Sequence, residues 1–183
     1  MLLSGGIDSA VCLYLARATV SADLTAVSVG YDQKQSPELR YAARMAERAG
    51  VPWRLLSARP WSWGGGAYWA RPVVDGDPMV TPHRNAVLIT LAAAATEPDE
   101  IWLGCNADDQ ADYADCRPVF AKAMGAALGV RVRLPLAPYT KRQVVGWASE
   151  LGVPLDETLS CYRGKWPGCG TCSACTLRRE ALC

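Results

Sequence analysis

Short apolar runs alternate with helix-period segments from one end of this 183-residue chain to the other. Residues 1–3, 24–29, 53–56, 100–104 and 130–133 read as strands. Between the first two, 7–20 carries Ile7, Val11 and Leu15 at the spacing of one helix face. Ser36-Pro37-Glu38 supplies an N-cap, a proline for the first helical position and an acid for the first turn of a helix that Gly50 stops. Thr81-Pro82 opens a helix through the apolar stretch 86–95, and 117–128 and 140–151 add two more, the last ended by Gly152. Strands alternating with helices predict an α/β fold: a doubly wound parallel sheet, covered on both faces, with right-handed crossovers. Ligands of such sheets bind outside the C-terminal ends of the strands. Segments 4–9, 30–35 and 106–117 are therefore expected at one edge.

A chain of this length can bury about 70% of its unfolded surface, enough for a core without disulfides. Half of the residues are hydrophobic and a fifth are charged, which argues against disorder. Nineteen basic residues against eighteen acidic ones leave a net charge of +1. That balance gives no strong nucleic-acid signal. No run of 18 apolar residues suggests a membrane span, and the first residues lack the charged and cleavable parts of a secretory signal. A cytoplasmic protein is expected. Residues 57–80 read as irregular, with four tryptophans between positions 53 and 69 that are costly to leave in water. That segment is expected to be a surface loop, a wall of the site or a subunit contact.

Residues 2–9, Leu-Leu-Ser-Gly-Gly-Ile-Asp-Ser, place a glycine turn between a strand and a helix start. Gly5 and Gly6 let backbone N–H groups approach an anion, the helix directs its positive end there, and the Ser4 and Ser9 hydroxyls can donate. Asp8 would repel phosphates unless a metal or an adenosine group intervenes. No lysine follows, so this is neither a Walker-type loop nor a dinucleotide fingerprint. Near the other end, Cys161, Cys169, Cys172 and Cys175 supply four thiolates within 15 residues. Two overlapping C-x-x-C turns with Gly168 and Gly170 can wrap a tetrahedral ion. Structural zinc suits four sulfurs without histidine, with an iron–sulfur cluster as the rival reading. Arg163, Lys165, Arg178 and Arg179 flank the cluster and could offset its charge. Cys12 and Cys105 read as core residues, Cys116 as ambiguous and Cys183 as tail.

Ser4-Gly5-Gly6-Ile7-Asp8-Ser9 resembles the pyrophosphate loop of the ATP pyrophosphatases, which split ATP into AMP and pyrophosphate while adenylating a substrate oxygen. Residues 156–162, followed by Cys169-Gly170-x-Cys172-x-x-Cys175-x-x-Arg178, are similar to the zinc region of the 7-cyano-7-deazaguanine synthase (QueC) family. Pro82-x-Arg84-Asn85 resembles that family's arginine–asparagine motif. Gly104-x-Asn106-Ala107-x-Asp109, running on through Tyr113, Asp115, Cys116 and Arg117, resembles its substrate-side segment. The resemblance runs from residue 2 to about 180.

The resemblance implies an adenine nucleotide alpha-hydrolase-like, Rossmann-like domain over 1–155 and a C-terminal four-cysteine zinc module over 156–183 packed on it. It implies queuosine biosynthesis: 7-carboxy-7-deazaguanine, ammonia and ATP with Mg2+ become the 7-cyano product through adenylated intermediates. Leu3, Ser4, Gly5, Gly6, Ile7, Asp8 and Ser9 would bind ATP. Asp8, Ser9, Arg84 and Lys141 would be catalytic. Tyr31, Gln33, Arg84, Asn85, Asp109, Tyr113, Asp115 and Arg117 would bind substrate, although Arg117 could pair with an acid and Asn85 could cap a helix. A homodimer follows from the family alone.

Departures are visible. Only three residues precede the serine, no histidine follows Gln33 in its loop, and His83 stands where the family usually has glycine. Ala114 replaces a proline, and Gln110-Ala111-Asp112 replaces a tyrosine-serine-glycine run. They motivate an alternative: adenylation of a deazaguanine acid followed by transfer to another acceptor, a protein or nucleic-acid group.

Overall fold

A computed structural model describes residues 1–20, 23–30, 37–58 and 83–182. Strands β1 (Ala26–Gly30), β2 (Trp53–Ser57), β3 (Glu100–Trp102) and β4 (Arg131–Arg133) form two parallel pairs, β1 with β2 and β3 with β4. Residues 1–3 join them. Leu3 N–H donates to Val27 O and Val27 N–H to Met1 O, both at 2.8 Å, while Leu2 N–H donates to Trp102 O at 3.0 Å. The spatial order is therefore β2, β1, residues 1–3, β3, β4. The central strand is so short that only a Leu2–Val27 bridge marks it.

Side chains alternate across that strand, as the two-residue period demands. Met1 and Leu3 enter a core with Ile7, Val11 and Leu13 of α1 (Ile7–Thr19), Ala42 and Met45 of α2 (Glu38–Ala49), and Val144 and Ala148 of α6 (Lys141–Glu150). Leu2 enters a second core with Val27, Val29, Ile101, Leu103 and Ile89 of α3 (Arg84–Thr96), against Phe120 and Met124 of α5 (Pro118–Leu128). Two cores on opposite faces make the sheet doubly wound. Full burial of a side chain such as Leu13, Met45 or Ile89 contributes about 1.5–3 kcal/mol.

The helix ends differ slightly from the sequence expectation. Pro37 occupies the N-cap position of α2 rather than its first turn, and Gly50 closes that helix at φ 64°. Thr140 and Gln143 form a reciprocal capping box at the start of α6. Local polar chemistry adds a short α4 (Asp109–Asp112) and single 3-10 turns at Ala114–Cys116 and Leu155–Glu157. Helix α7 (Ser173–Leu182) grows out of the cysteine cluster and packs against α6. Of the irregular stretch, residues 59–80 lie outside the described residues, as do Thr81, Pro82 and Cys183. Among the described residues, no helix is long and apolar enough to cross a membrane.

Candidate active site

The turn after residues 1–3 and the segment after β3 meet over one cavity of about 270 Å³, at the C-terminal edge of the sheet. Its lining includes Leu3, Ser4, Gly6, Ile7, Asp8, Ser9, Arg84, Asn85, Asp109, Tyr113 and Lys141, gathered from four separate stretches of chain. The shape depends on glycines. A Cβ on Gly104 would stand 2.6 Å from the Asp8 carbonyl, so the β3 exit and α1 touch backbone to backbone. Gly5 holds φ 89°, and a Cβ there would meet Glu38 O at 2.4 Å.

Within the turn, the Ser4 and Ser9 hydroxyls lie 3.0 Å apart. Ser9 Oγ donates to Gly6 O at 3.0 Å, and Gly6 N–H donates to Ser4 Oγ at 3.3 Å. Gly6 is the N-cap of α1 and no side chain caps that helix, so its N-terminal donors and positive dipole end face the cavity. This is the geometry of an anion site.

Opposite the turn, Lys141 Nζ donates to Asp8 Oδ2 in an ion pair that is largely screened from solvent. Asn106 Nδ2 donates to Asp8 Oδ1 at 3.3 Å. Asn106 is 2% exposed; its Oδ1 accepts the Asp108 and Asp109 N–H groups at 2.8 and 3.1 Å, and its own N–H donates to Asp109 Oδ2 at 3.1 Å. Asn106 thus locks the carboxylate of Asp8 to the loop that carries Asp109. The sequence names Asn106 only as a member of the Gly104-x-Asn106 string, with no role of its own. Burial, and then the neighbouring Asp8 carboxylate, push the Asp109 carboxyl up to about 6. Tyr162 closes the same wall beside Tyr113 and Arg84, and burial raises its phenol.

Asp115 and Arg117 do not line the cavity. Helix α3 begins at His83, which holds φ 59° and offers no side-chain cap; Asp115 Oδ2 instead accepts the Asn85 N–H at 2.9 Å. Arg117 donates to the carbonyls of Gln110 at 2.8 Å and Ala111 at 3.4 Å, and not to an acid. Asn85 is buried, with its amide on Asp115 O and near the Cys105 and Cys116 sulfurs. Cys12, Cys105 and Cys116 are buried in the two cores. Tyr31 and Gln33 lie outside the described residues. A larger open depression of about 510 Å³ runs along α5 and β4, but none of these motif residues reaches it.

The sulfurs of Cys161, Cys169, Cys172 and Cys175 all lie within 4.8 Å of one another, and Cys169 and Cys175 are 3.9 Å apart. Four thiolates about 2.3 Å from a central ion would stand about 3.8 Å apart in a tetrahedron, so the set fits a zinc module. Hydrogen bonds from Thr171 and the Cys172 N–H lower the Cys169 thiol to about 5, favouring the ligating thiolate. Cys161 lines the cavity as well, so the metal module forms one of its walls.

Parallel strands, two helical layers and a glycine turn at the first crossover define the ATP-pyrophosphatase-like, PP-loop class of α/β proteins. Two solved structures share the fold. A U34-tRNA thiolase NcsA from Methanococcus maripaludis matches with TM-score 0.57 and 18% identity, over 99% of this chain and 62% of that one. An NMN synthetase from Francisella tularensis matches with TM-score 0.56 and 26% identity, over 84% of this chain and 60% of that one. The chain therefore spans under two thirds of either solved protein.

The chain belongs to the QueC family: the profile described as queuosine biosynthesis protein QueC matches residues 1–183. Curated relatives named 7-cyano-7-deazaguanine synthase are 36% identical in Anaeromyxobacter dehalogenans and in Thiobacillus denitrificans, and 31% identical in Thermoplasma acidophilum. All of this chain aligns with each, covering 89%, 92% and 86% of the relative respectively.

Proposed function

We propose that this chain converts 7-carboxy-7-deazaguanine and ammonia to 7-cyano-7-deazaguanine at the expense of ATP; the product is the one in its relatives' name. The single observation that carries the reading is the convergence, in one cavity, of the anion-binding turn, the Asp8–Lys141 pair and the Asp109–Tyr113 wall.

A carboxylate resists ammonia because oxide is a poor leaving group. Attack of a carboxylate oxygen on the α-phosphorus of ATP releases pyrophosphate and makes that oxygen part of AMP. Ammonia adds to the activated carbonyl, AMP leaves and an amide forms, with a proton released. A second adenylation, on the amide oxygen, lets AMP depart with that oxygen. Loss of two N–H protons leaves the nitrile. Both carboxylate oxygens finish in AMP.

The protein's part is positioning and charge neutralisation. Ser4, Gly5, Gly6, Ile7 and Ser9 hold the departing pyrophosphate, with Leu3 beneath them. Asp8 aims Lys141 at the polyphosphate, and Arg84 answers the charge on the acid. Asp109 and Tyr113 read the donor edge of the deazaguanine, since a carboxylate accepts two N–H bonds in one plane. Asn85 lines the cavity beside the substrate, while Asp115 and Arg117 support the wall. Asp8 would help hold magnesium, which would supply charge neutralisation to the polyphosphate. The four cysteines would hold zinc, which would supply a fixed anchor for residues 156–183 on the 1–155 domain. The close approach of the sulfurs supports one ion over an iron–sulfur cluster. Reduced thiolates suit the cytoplasm, and the family's homodimer is carried over with the reading.

The test is mass spectrometry on zinc-loaded protein with magnesium ATP, ammonium and the acid. The reading expects nitrile and AMP. A product that retains a carboxylate oxygen, or no AMP, overturns it.

A further inference from the structure

We propose that Arg178 is a positioning residue that couples occupancy of the four-cysteine site to the shape of the anion-binding turn. The proposal rests on the reading above that this turn holds pyrophosphate.

Helix α7 begins inside the cysteine cluster, with Cys175 in its first turn. Arg178 follows Cys175 by three residues, so both lie on one face of the helix. Its guanidinium leaves the cluster and grips the preceding segment. Nη2 donates to Leu155 O at 2.5 Å; Nη1 donates to Thr158 Oγ1 at 2.7 Å, Thr158 O at 3.2 Å and Ser160 Oγ at 3.3 Å. A planar fork of five donors can bridge these acceptors at once, which a lysine ammonium cannot. Thr158 is buried, and its hydroxyl in turn donates to Leu155 O at 2.6 Å.

The gripped segment touches the turn at one point. Leu159 N–H donates to Gly5 O at 2.9 Å. The far side of Gly5 is already pressed against α2, since a Cβ there would meet Glu38 O at 2.4 Å and Ala42 N at 2.8 Å. Gly5 is thus clamped between α2 and residues 158–160. The peptide linking Gly5 C=O to Gly6 N–H is one planar unit. Fixing the Gly5 carbonyl therefore fixes the direction of the Gly6 N–H, which donates to the Ser4 hydroxyl lining the cavity. A chain of direct contacts runs from Cys175 through Arg178, Thr158 and Leu159 to that donor. The metal enters it by holding the first turn of α7.

Coupling of this kind is reciprocal: pyrophosphate on the turn must favour metal on the cysteines by the same factor by which metal favours pyrophosphate. The probe is inorganic pyrophosphate with excess magnesium, titrated calorimetrically into the full zinc-loaded chain. Arg178→Gln is expected to keep one zinc per chain while binding pyrophosphate roughly tenfold more weakly. Zinc release to an excess chromogenic chelator is expected to slow when magnesium pyrophosphate saturates the unsubstituted protein, and to be indifferent to it in Arg178→Gln. Arg178→Lys should not restore either behaviour. A merely structural staple would lower the melting temperature and leave the slowing intact, so unchanged pyrophosphate affinity and unchanged slowing overturn the proposal.

Should Arg178→Gln fail to fold or hold zinc, the decision passes to Thr158→Val with Ser160→Ala, which removes two acceptors from outside α7. Normal coupling in that variant overturns the proposal as well. Absence of any pyrophosphate binding in the unsubstituted protein would remove both this inference and the assignment of the turn. Tight binding without coupling removes this inference alone.

Discussion

Asp8 is a carboxylate at the positive end of α1 beside the proposed anion site, and its neighbours make it tolerable there. Lys141 offsets its charge and Asn106 fixes its direction. Asn106→Ala is expected to leave the fold soluble and lower turnover by about 10–100-fold, because a misdirected positioning group costs that much. Steady-state kinetics check it, and an unchanged rate would show that Asp8 orients itself. Asp109 makes a pH prediction. Its native pKa of about 6 stands above the unfolded value near 3.9, so the folded chain binds more protons between those limits. The ionised group therefore costs stability above pH 6, and the cost disappears as pH falls towards 4. Asp109→Asn should stabilise the ligand-free protein by roughly 1–2 kcal/mol at pH 7.5 and by almost nothing at pH 4. Chemical unfolding at the two pH values reads this directly. The same ionisation should make deazaguanine-acid binding weaken below pH 6, since a protonated Asp109 accepts poorly. The turn residues were legible because their motif singles them out, whereas Lys141 was named as a candidate with no motif of its own. Asn106 was not legible, because one asparagine in a loop looks like turn chemistry. Asp115 and Arg117 were legible as motif members but not in their placement: a helix start and two carbonyls needed partners that only the folded loop reveals.

Apart from α7 (Ser173–Leu182), which no sequence signal marked, helices and strands followed their sequence signals to within a residue or two, because periodic apolar residues decide them. The short elements did not. Helix α4 and the turns at Ala114–Cys116 and Leu155–Glu157 rest on local hydrogen bonds, and no periodicity announces a single turn. Thr140-x-x-Gln143 is a readable start signal for α6, and the structure uses both halves of it. Thr140→Ala is expected to cost about 1 kcal/mol of stability, measured by thermal unfolding. Where α1 meets the exit of β3 there is no room for a side chain. Gly104→Ala places a Cβ 2.6 Å from the Asp8 carbonyl and should destabilise by about 1–3 kcal/mol while displacing Asp8. A fully stable and active variant would show that the two backbones can part without consequence.

At the scale of the molecule, the sheet is built around its shortest member. Residues 1–3 divide Met1 and Leu3 to one core and Leu2 to the other, and they launch the glycine turn directly into α1. The doubly wound order was legible from strand–helix alternation, and the edge at which ligands gather followed from it. The way the cysteine module folds back over the turn was not, because it depends on Arg178 and Leu159 reaching across the chain. Cys172→Ser should lose bound metal, counted by elemental analysis, and weaken ATP binding with it. A metal-free protein that binds ATP normally would separate the module from the site.

The central claim is that one cavity adenylates the acid and then its amide. The most direct measurement uses a substrate carboxylate labelled with heavy oxygen at both positions, followed by mass spectrometry of the nucleotide products. The account predicts that the label appears in AMP, one oxygen from each activation, with unlabelled pyrophosphate. Label in inorganic phosphate with ADP, or label released to water, would contradict it.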